Sequence, residues 1–448
     1  MDRRTFLKTC GFAGYLLCQP QMTVWALNSK PSIENKRLIV CFLRGAVDGL
    51  NVVVPFGDPN YYQLRPTIAV ARPGQDAGCL NLDGHFGLNP GMEPLMGLWQ
   101  QKQLAFVHAC GSPDPTRSHF DAQDFMESGT PGDKRISTGW LNRLVTTIPQ
   151  ASKSPVQCVS VGSVLPKIFT GPASVATIQN TAGPSRLPID NPAIASAFNK
   201  MYGDTTNIGQ SNSGPSNTGP NSANRDNTST ANSSLSNIGQ AYQEGMAAHK
   251  EINDELSKPA FDPEQIMANH GAPLPSANRN FGSQLARIFR SDPAVQVAFI
   301  DFGGWDTHTG EGNGRGALAN RLRTLAQGLA DLAAGLGPLF KDTNIIVMSE
   351  FGRTAKENGN GGTDHGHGNA MWLLGGSLPG GRVYGKFSSL ANSDLHEGRD
   401  LPTSTDFRSV AGNIISQNFE LSQKQMNSIF PSFNNSSRDY PLNARVTL

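Results

Sequence analysis

Beyond its first residues the chain lacks any apolar run of the roughly 18 residues a membrane-spanning helix requires. The mature chain is therefore expected to be soluble, with no membrane span. It also lacks a charge excess: 37 Lys and Arg stand against 36 Asp and Glu, a net charge of +1. That balance gives no broad electrostatic footprint for nucleic acid or an anionic membrane. Cysteine is scarce, six in 448 residues, and no pair has Cys-x-x-Cys spacing, which argues against a zinc–thiolate site. Cys41 and Cys110 fall inside apolar runs and read as small buried hydrophobes, and no disulfide pairing can be assigned from the sequence. What is abundant is glycine, 48, and proline, 30, a composition of many loops around a core rather than of a helical bundle.

The amino terminus carries Asp2-Arg3-Arg4-Thr-Phe-Leu-Lys8, an apolar stretch from Cys10 to Leu17, and small residues flanking Trp25 in Val24-Trp25-Ala26. A charged start, a short apolar segment and a small-residue cleavage site make a secretory signal. The paired arginines point to the twin-arginine route rather than an ordinary secretory signal. Residues 1–26 are thus expected to be a leader handled by the twin-arginine translocase, with a periplasmic or secreted chain starting near Leu27. Cys18 is a poor lipoprotein cysteine, since Tyr15-Leu16-Leu17 lacks the small residues such a site prefers.

The mature chain, 27–448, reads as one domain with an insert at about 203–240 made of Asn, Ser, Thr, Gly and Pro. That tract has too few apolar residues to offset the entropy of ordering it. On either side, short apolar runs alternate with helical patterns. Leu38–Leu43, Leu104–Ala109, Val295–Ile300, Ile345–Met348 and Met371–Leu374 have the length and apolarity of strands buried on both faces of a parallel sheet. Between the third and fourth, Leu318, Leu322, Leu325, Leu329, Leu332 and Leu336 recur at helical spacing, with Gly335 and Gly337-Pro338 as stop signals. Strand, helix, strand at this spacing is a βαβ unit, which predicts an α/β fold with a mostly parallel sheet and helices on both faces.

In such sheets, ligands bind outside the carboxyl ends of the strands, and the residues following each run are chemically rich. They include Arg44 and Asp48 after the first, Thr116, Arg117, Ser118 and His119 after the second, and Asp306 and His308 after the third. Glu350 and Arg353 follow the fourth, leading into Gly362-Thr-Asp364-His365-Gly366-His367-Gly368. Five histidines, counting His108 at a strand end, fall at this predicted edge. Asp306 and His308, two apart in an extended segment, can point to one side and ligate a metal; the alternative is a surface turn. The glycines around His365 and His367 free the backbone to bring two imidazoles round one ion, and imidazole with carboxylate suits zinc or manganese. Ser118 is a candidate nucleophile or the cap of a helix beginning at His119, and the two roles are compatible. Arg117 and Arg353 can bind anionic oxygens or pair with carboxylates such as Asp121 or Glu127. Asp48 is a ligand candidate or a turn residue before Gly49.

These phrases identify the chain as a member of the domain-of-unknown-function 1501 family. Arg44-Gly-Ala-Val-Asp48-Gly-Leu-Asn51, Arg117-Ser-His-Phe-Asp-Ala-Gln-Asp124, Gly304-Trp-Asp306-Thr-His308 and Ser349-Glu-Phe-Gly-Arg-Thr354 carry the resemblance. Asp364-His-Gly-His-Gly368 and Thr405-Asp406-Phe-Arg408 complete it. The family is similar to the alkaline phosphatase and sulfatase superfamily, which implies an alkaline-phosphatase-like fold and hydrolysis of phosphate or sulfate esters with one or two metals. By position, Asp48 resembles a first-strand metal ligand and Ser118, or Thr116, the nucleophile. Asp306 and His308 resemble an aspartate and histidine of one metal site, and His365 or His367 its last histidine. Glu350-Phe351 stands where the superfamily usually has Asp-His, so a second site loses an imidazole there unless His119 or a loop histidine supplies one.

The expectation is a periplasmic metal-dependent hydrolase acting on a small anionic ester. Ser118 would be its nucleophile, Arg117 would neutralise substrate charge, and metal ligands would come from Asp48, Asp306, His308, Glu350, His365 and His367. The alternative is a non-catalytic exported protein that keeps the fold for binding or assembly with a protein partner.

Overall fold

Burial along the first strand, β1 (Arg37–Leu43), already dictates two cores, because every residue in it is buried. Successive side chains of a strand point to opposite faces. Leu38, Val40 and Phe42 enter one apolar cluster, Ile39, Cys41 and Leu43 another. A strand apolar on both faces belongs in the middle of a covered sheet.

The computed structural model describes residues 36–148, 156–162, 165–178 and 280–433. The leader expected at 1–26, with Cys18, and the polar tract at 203–240 lie outside the described residues. The remaining strands of the main sheet are β2 (Leu104–Gly111), β3 (Cys158–Val161), β4 (Ala176–Ile178), β5 (Val297–Phe302), β6 (Thr343–Ser349), β7 (Asn369–Gly375), β8 (Arg382–Tyr384) and β9 (Thr405–Asp406). Their order is β8-β2-β7-β6-β1-β5-β3-β4, with β9 beside the end of β2. The pairs of β1 with β5 and β6 are parallel, whereas β7 runs antiparallel to both β6 and β2. The fold is thus α/β with a mostly parallel sheet. The reversal at Met371–Leu374, read from the sequence as another strand of the parallel type, has a simple cause: no helix lies between β6 and β7 to carry the chain back. The consequence matters for the site. Both ends of segment 350–368 stay on the edge where β6 finishes, so its Glu, Arg and His residues gather there.

One face is covered by α3 (Phe281–Ser291) and α4 (Ala317–Leu336), whose six predicted leucines are all buried. Burying each stabilises by about 1.5–3 kcal/mol. Gly335 lies within α4, and the helix ends at Leu336 with Gly337 at φ 53°. The other face takes α1 (His119–Ser128), α2 (Trp140–Thr147), α5 (Phe407–Asn418) and α6 (Gln423–Ile429). Asp406 accepts from the Arg408 backbone N–H and caps α5, so the Thr405-Asp406-Phe-Arg408 phrase is a helix start. Cys41, Cys79, Cys110 and Cys158 are buried free thiols, and burial pushes the Cys79 thiol up to about 11. No helix among the described residues is long and apolar enough to cross a membrane.

Candidate metal centre

Three imidazoles and one carboxylate converge beyond the carboxyl ends of β2, β5 and β6. His119 is the first residue of α1, Asp306 and His308 follow β5, and His365 sits in the segment between β6 and β7. Nε2 of His365 lies 3.0 Å from Nε2 of His119 and 3.0 Å from Nε2 of His308. Asp306 Oδ1 is 3.1 Å from His308 Nε2 and 3.6 Å from His365 Nε2, and its Oδ2 is 3.6 Å from His119 Nε2. Donor atoms of His119, Asp306 and His365 all lie within 4.8 Å of one another. Tetrahedral zinc with ligands at about 2.0–2.1 Å separates its donors by roughly 3.3 Å, so the spacing fits one ion.

Each ring is held from behind. His365 Nδ1 donates to the Arg117 carbonyl at 2.9 Å, and a carbonyl can only accept, so the Nδ1 atom carries the proton. His119 Nδ1 donates to Glu350 Oε1 at 2.8 Å, and His308 Nδ1 lies 3.3 Å from Asp364 Oδ1. Those contacts leave the Nε2 lone pairs facing inward, the arrangement usual for histidines that hold a metal. Two lone pairs 3.0 Å apart repel unless a proton or cation lies between them, so the donor chemistry fits a cation. Burial holds the His365 pKa below its ordinary value, with the charges of His119, Arg353 and His308 adding to the effect. The carboxyl of Glu350 is buried, which alone would raise its pKa. Hydrogen bonds from His119, Gln123 and the Gly45 N–H outweigh burial and keep it ionised below the usual range. Asp306 is likewise kept low: Arg353, with His308 and His119, overrides its desolvation.

Local sequence explains the close approach. A Cβ on Gly45 (φ 113°) would lie 2.6 Å from Asp306 N, and one on Gly362 would lie 2.3 Å from Thr307 O. Only glycine lets these segments meet. Phe351 packs against His119 and His365, with ring centroids 4.9 and 5.1 Å away. Glu350-Phe351 therefore replaces no ligand here; it fixes two imidazoles, one residue by hydrogen bond and the other by packing.

Of the residues expected to hold metal, Asp306, His308 and His365 come together, while Asp48, Glu350 and His367 do not join them. Asp48 forms a buried ion pair with Arg65 through both carboxylate oxygens and caps the turn Gly49–Val52. Glu350 stands behind His119 instead of beside it. Nδ1 of His367 meets Asp400 and its Nε2 the Pro115 carbonyl at 3.2 Å, so both ring nitrogens are engaged outside the cluster. The Arg117 guanidinium faces Glu397 at 3.2 Å and Asp400 at 3.6 Å, so its link to the cluster is its carbonyl. Arg353 is buried on Asp306 and the carbonyls of Gly45, Ala46 and Thr363. Ser118 is exposed at the N-cap of α1 without a side-chain cap bond, and Thr116 Oγ1 accepts from its N–H. From its sequence position His119 reads only as a substitute ligand, although it follows β2. Arg65 and Glu311 lie outside every sequence motif.

No curated protein matches the chain. A solved structure that matches it is a phosphonate monoester hydrolase of Agrobacterium radiobacter, 11% identical, covering 79% of this chain and 71% of that one. Its TM-score of 0.26 is too low for that likeness to carry an argument about chemistry. The sequence model described as "Protein of unknown function (DUF1501)" matches residues 78–430, and the chain belongs to that family.

Proposed function

We propose that the chain is a divalent-metal-dependent hydrolase of phosphate or sulfate esters that acts after export. The convergence of His119, His308, His365 and Asp306 carries the proposal. Neutral imidazoles with a carboxylate suit zinc or manganese. A divalent ion held there would lower the proton affinity of a nearby hydroxyl or water and offset negative charge developing on an ester. The chain's own residues do the positioning. Glu350 and the Arg117 carbonyl keep the Nδ1 protons of His119 and His365 in place, so that both Nε2 lone pairs point inward. Arg353 orients Asp306 and keeps it ionised. Ser118 is the candidate nucleophile: it is exposed, adjacent to His119, and stands at a helix N-terminus that favours negative charge. The ester class is supported by the resemblance of the sequence phrases to the phosphatase and sulfatase superfamily.

The test is turnover of aryl phosphate and aryl sulfate esters by zinc- or manganese-loaded protein and by Ser118→Ala. Hydrolysis that collapses in Ser118→Ala supports the proposal. A metal-loaded protein inert toward both ester classes would refute hydrolysis while leaving metal binding intact. Export is checked separately: amino-terminal sequencing of chain recovered outside the cytoplasm is expected to start near Leu27.

A further inference from the structure

We propose that Glu311 is a positioning residue of the metal centre, a buried clamp that fixes its two ligand-bearing loops to each other. The inference rests on the metal-centre reading above. Glu311 is completely buried. Its Oε2 accepts from the Thr307 hydroxyl at 2.8 Å and from the Thr363 hydroxyl at 3.1 Å. Thr307 stands between Asp306 and His308, and Thr363 stands two residues before His365. One carboxyl oxygen thus ties together the loops that carry three of the four donors. The backbone repeats the connection: Glu311 N–H donates to the Gly361 carbonyl at 2.8 Å, and Thr363 N–H to the Thr307 carbonyl at 3.1 Å.

The other end of Glu311 is anchored in a rigid polar network. Its Oε1 accepts from Asn51 Nδ2 at 2.9 Å, and Asn51 Oδ1 accepts from Tyr61 and Arg65. Arg65 also donates to the carbonyls of Thr354 and Ala355, and Thr354 is hydrogen-bonded through its N–H and hydroxyl to the Asp364 backbone. Burial and the neighbouring Asp48 charge keep the Glu311 carboxyl protonated well above the usual range. A hydrogen bond links the Glu311 and Asp48 carboxyls, while the Glu311 oxygens accept from Thr307, Thr363 and Asn51. The segment it secures contains Asn358-Gly-Asn-Gly-Gly362, which has little intrinsic order. Donor atoms that must hold position to within about 0.5 Å need an outside support.

Thr307→Val with Thr363→Val tests this directly, because it removes both hydroxyls at constant volume and leaves every proposed ligand and Glu311 in place. Zinc titration by calorimetry should show a dissociation constant raised about 10-fold or more, the size expected for loss of a supporting contact. Any fall in the thermal midpoint of the metal-free protein reports the hydrogen bonds lost to buried Glu311 and is read separately from zinc affinity. A double-valine protein that binds zinc as tightly as the parent overturns the clamp. Should that variant fail to fold, Thr363→Val alone is judged the same way. A parent protein that takes up no zinc refutes the metal centre itself, an outcome distinct from failure of the clamp.

Discussion

The histidine cluster and the Asp48–Arg65–Glu311 network lie in loops at the same edge of the sheet, and both are built around carboxylates. They differ in how charge is satisfied. In the network, a guanidinium is already in place: Arg65 grips both oxygens of Asp48, both side chains are buried, and burial raises the Glu311 pKa well above its ordinary value. In the cluster, Arg353 reaches Asp306 only, and the imidazoles direct Nε2 lone pairs at one another. The first arrangement is electrostatically complete and suits a scaffold. The second is complete only with a proton or cation between the rings, and suits a site. Residue type alone does not separate them; the partner on the far side of each group does.

The sharpest break of this comparison is Arg65→Met, which strands a buried carboxylate. It should cost about 3–5 kcal/mol in urea unfolding of the metal-free protein, and adding Asp48→Asn should recover much of the loss. If Arg65→Met is harmless, the network is no scaffold. Next come His119→Ala, His308→Ala and His365→Ala, each expected to weaken zinc binding by more than ~100-fold, exceeding the effect of any supporting contact. Removing His367 should leave zinc affinity largely unchanged. Glu350→Gln should weaken binding by roughly 10–100-fold through lost support of His119, and calorimetry resolves that from a full ligand loss. The smallest effect is a pH slope. Glu311 has a raised pKa in the folded chain, so its contribution is fully present below its ordinary value of 4.5 and is lost as pH rises toward the folded value. Denaturant midpoints of the metal-free protein should therefore fall more steeply above pH 4.5 than those of Glu311→Gln. Parallel profiles would mean that Glu311 is not held protonated.

Much of the fold was legible because apolar runs and leucine spacing report burial directly. All five predicted strands exist, and the leucine helix buries the face it should. The direction of β7 was less visible, since an apolar run has the same composition in either orientation. Residues of the proposed centre were legible to the extent that they follow strands: Asp306 and His308 come just after β5, and His365 lies in the segment after β6. Asp48 and His367 have the same chemistry and similar positions, and what removes them is a partner far away in the chain, Arg65 for one and Asp400 for the other. The contacts that orient the proposed ligands come from a backbone carbonyl at Arg117 and a packed ring at Phe351, with the proposed support of a buried acid at Glu311. None of these has a sequence signature.

The most direct measurement is the metal content of the purified chain after equilibrium dialysis against zinc, compared with the His119→Ala, His365→Ala double variant. One ion per chain in the parent and none in the variant is the predicted result. A parent that binds none, or a variant that keeps its ion, would contradict the centre proposed here.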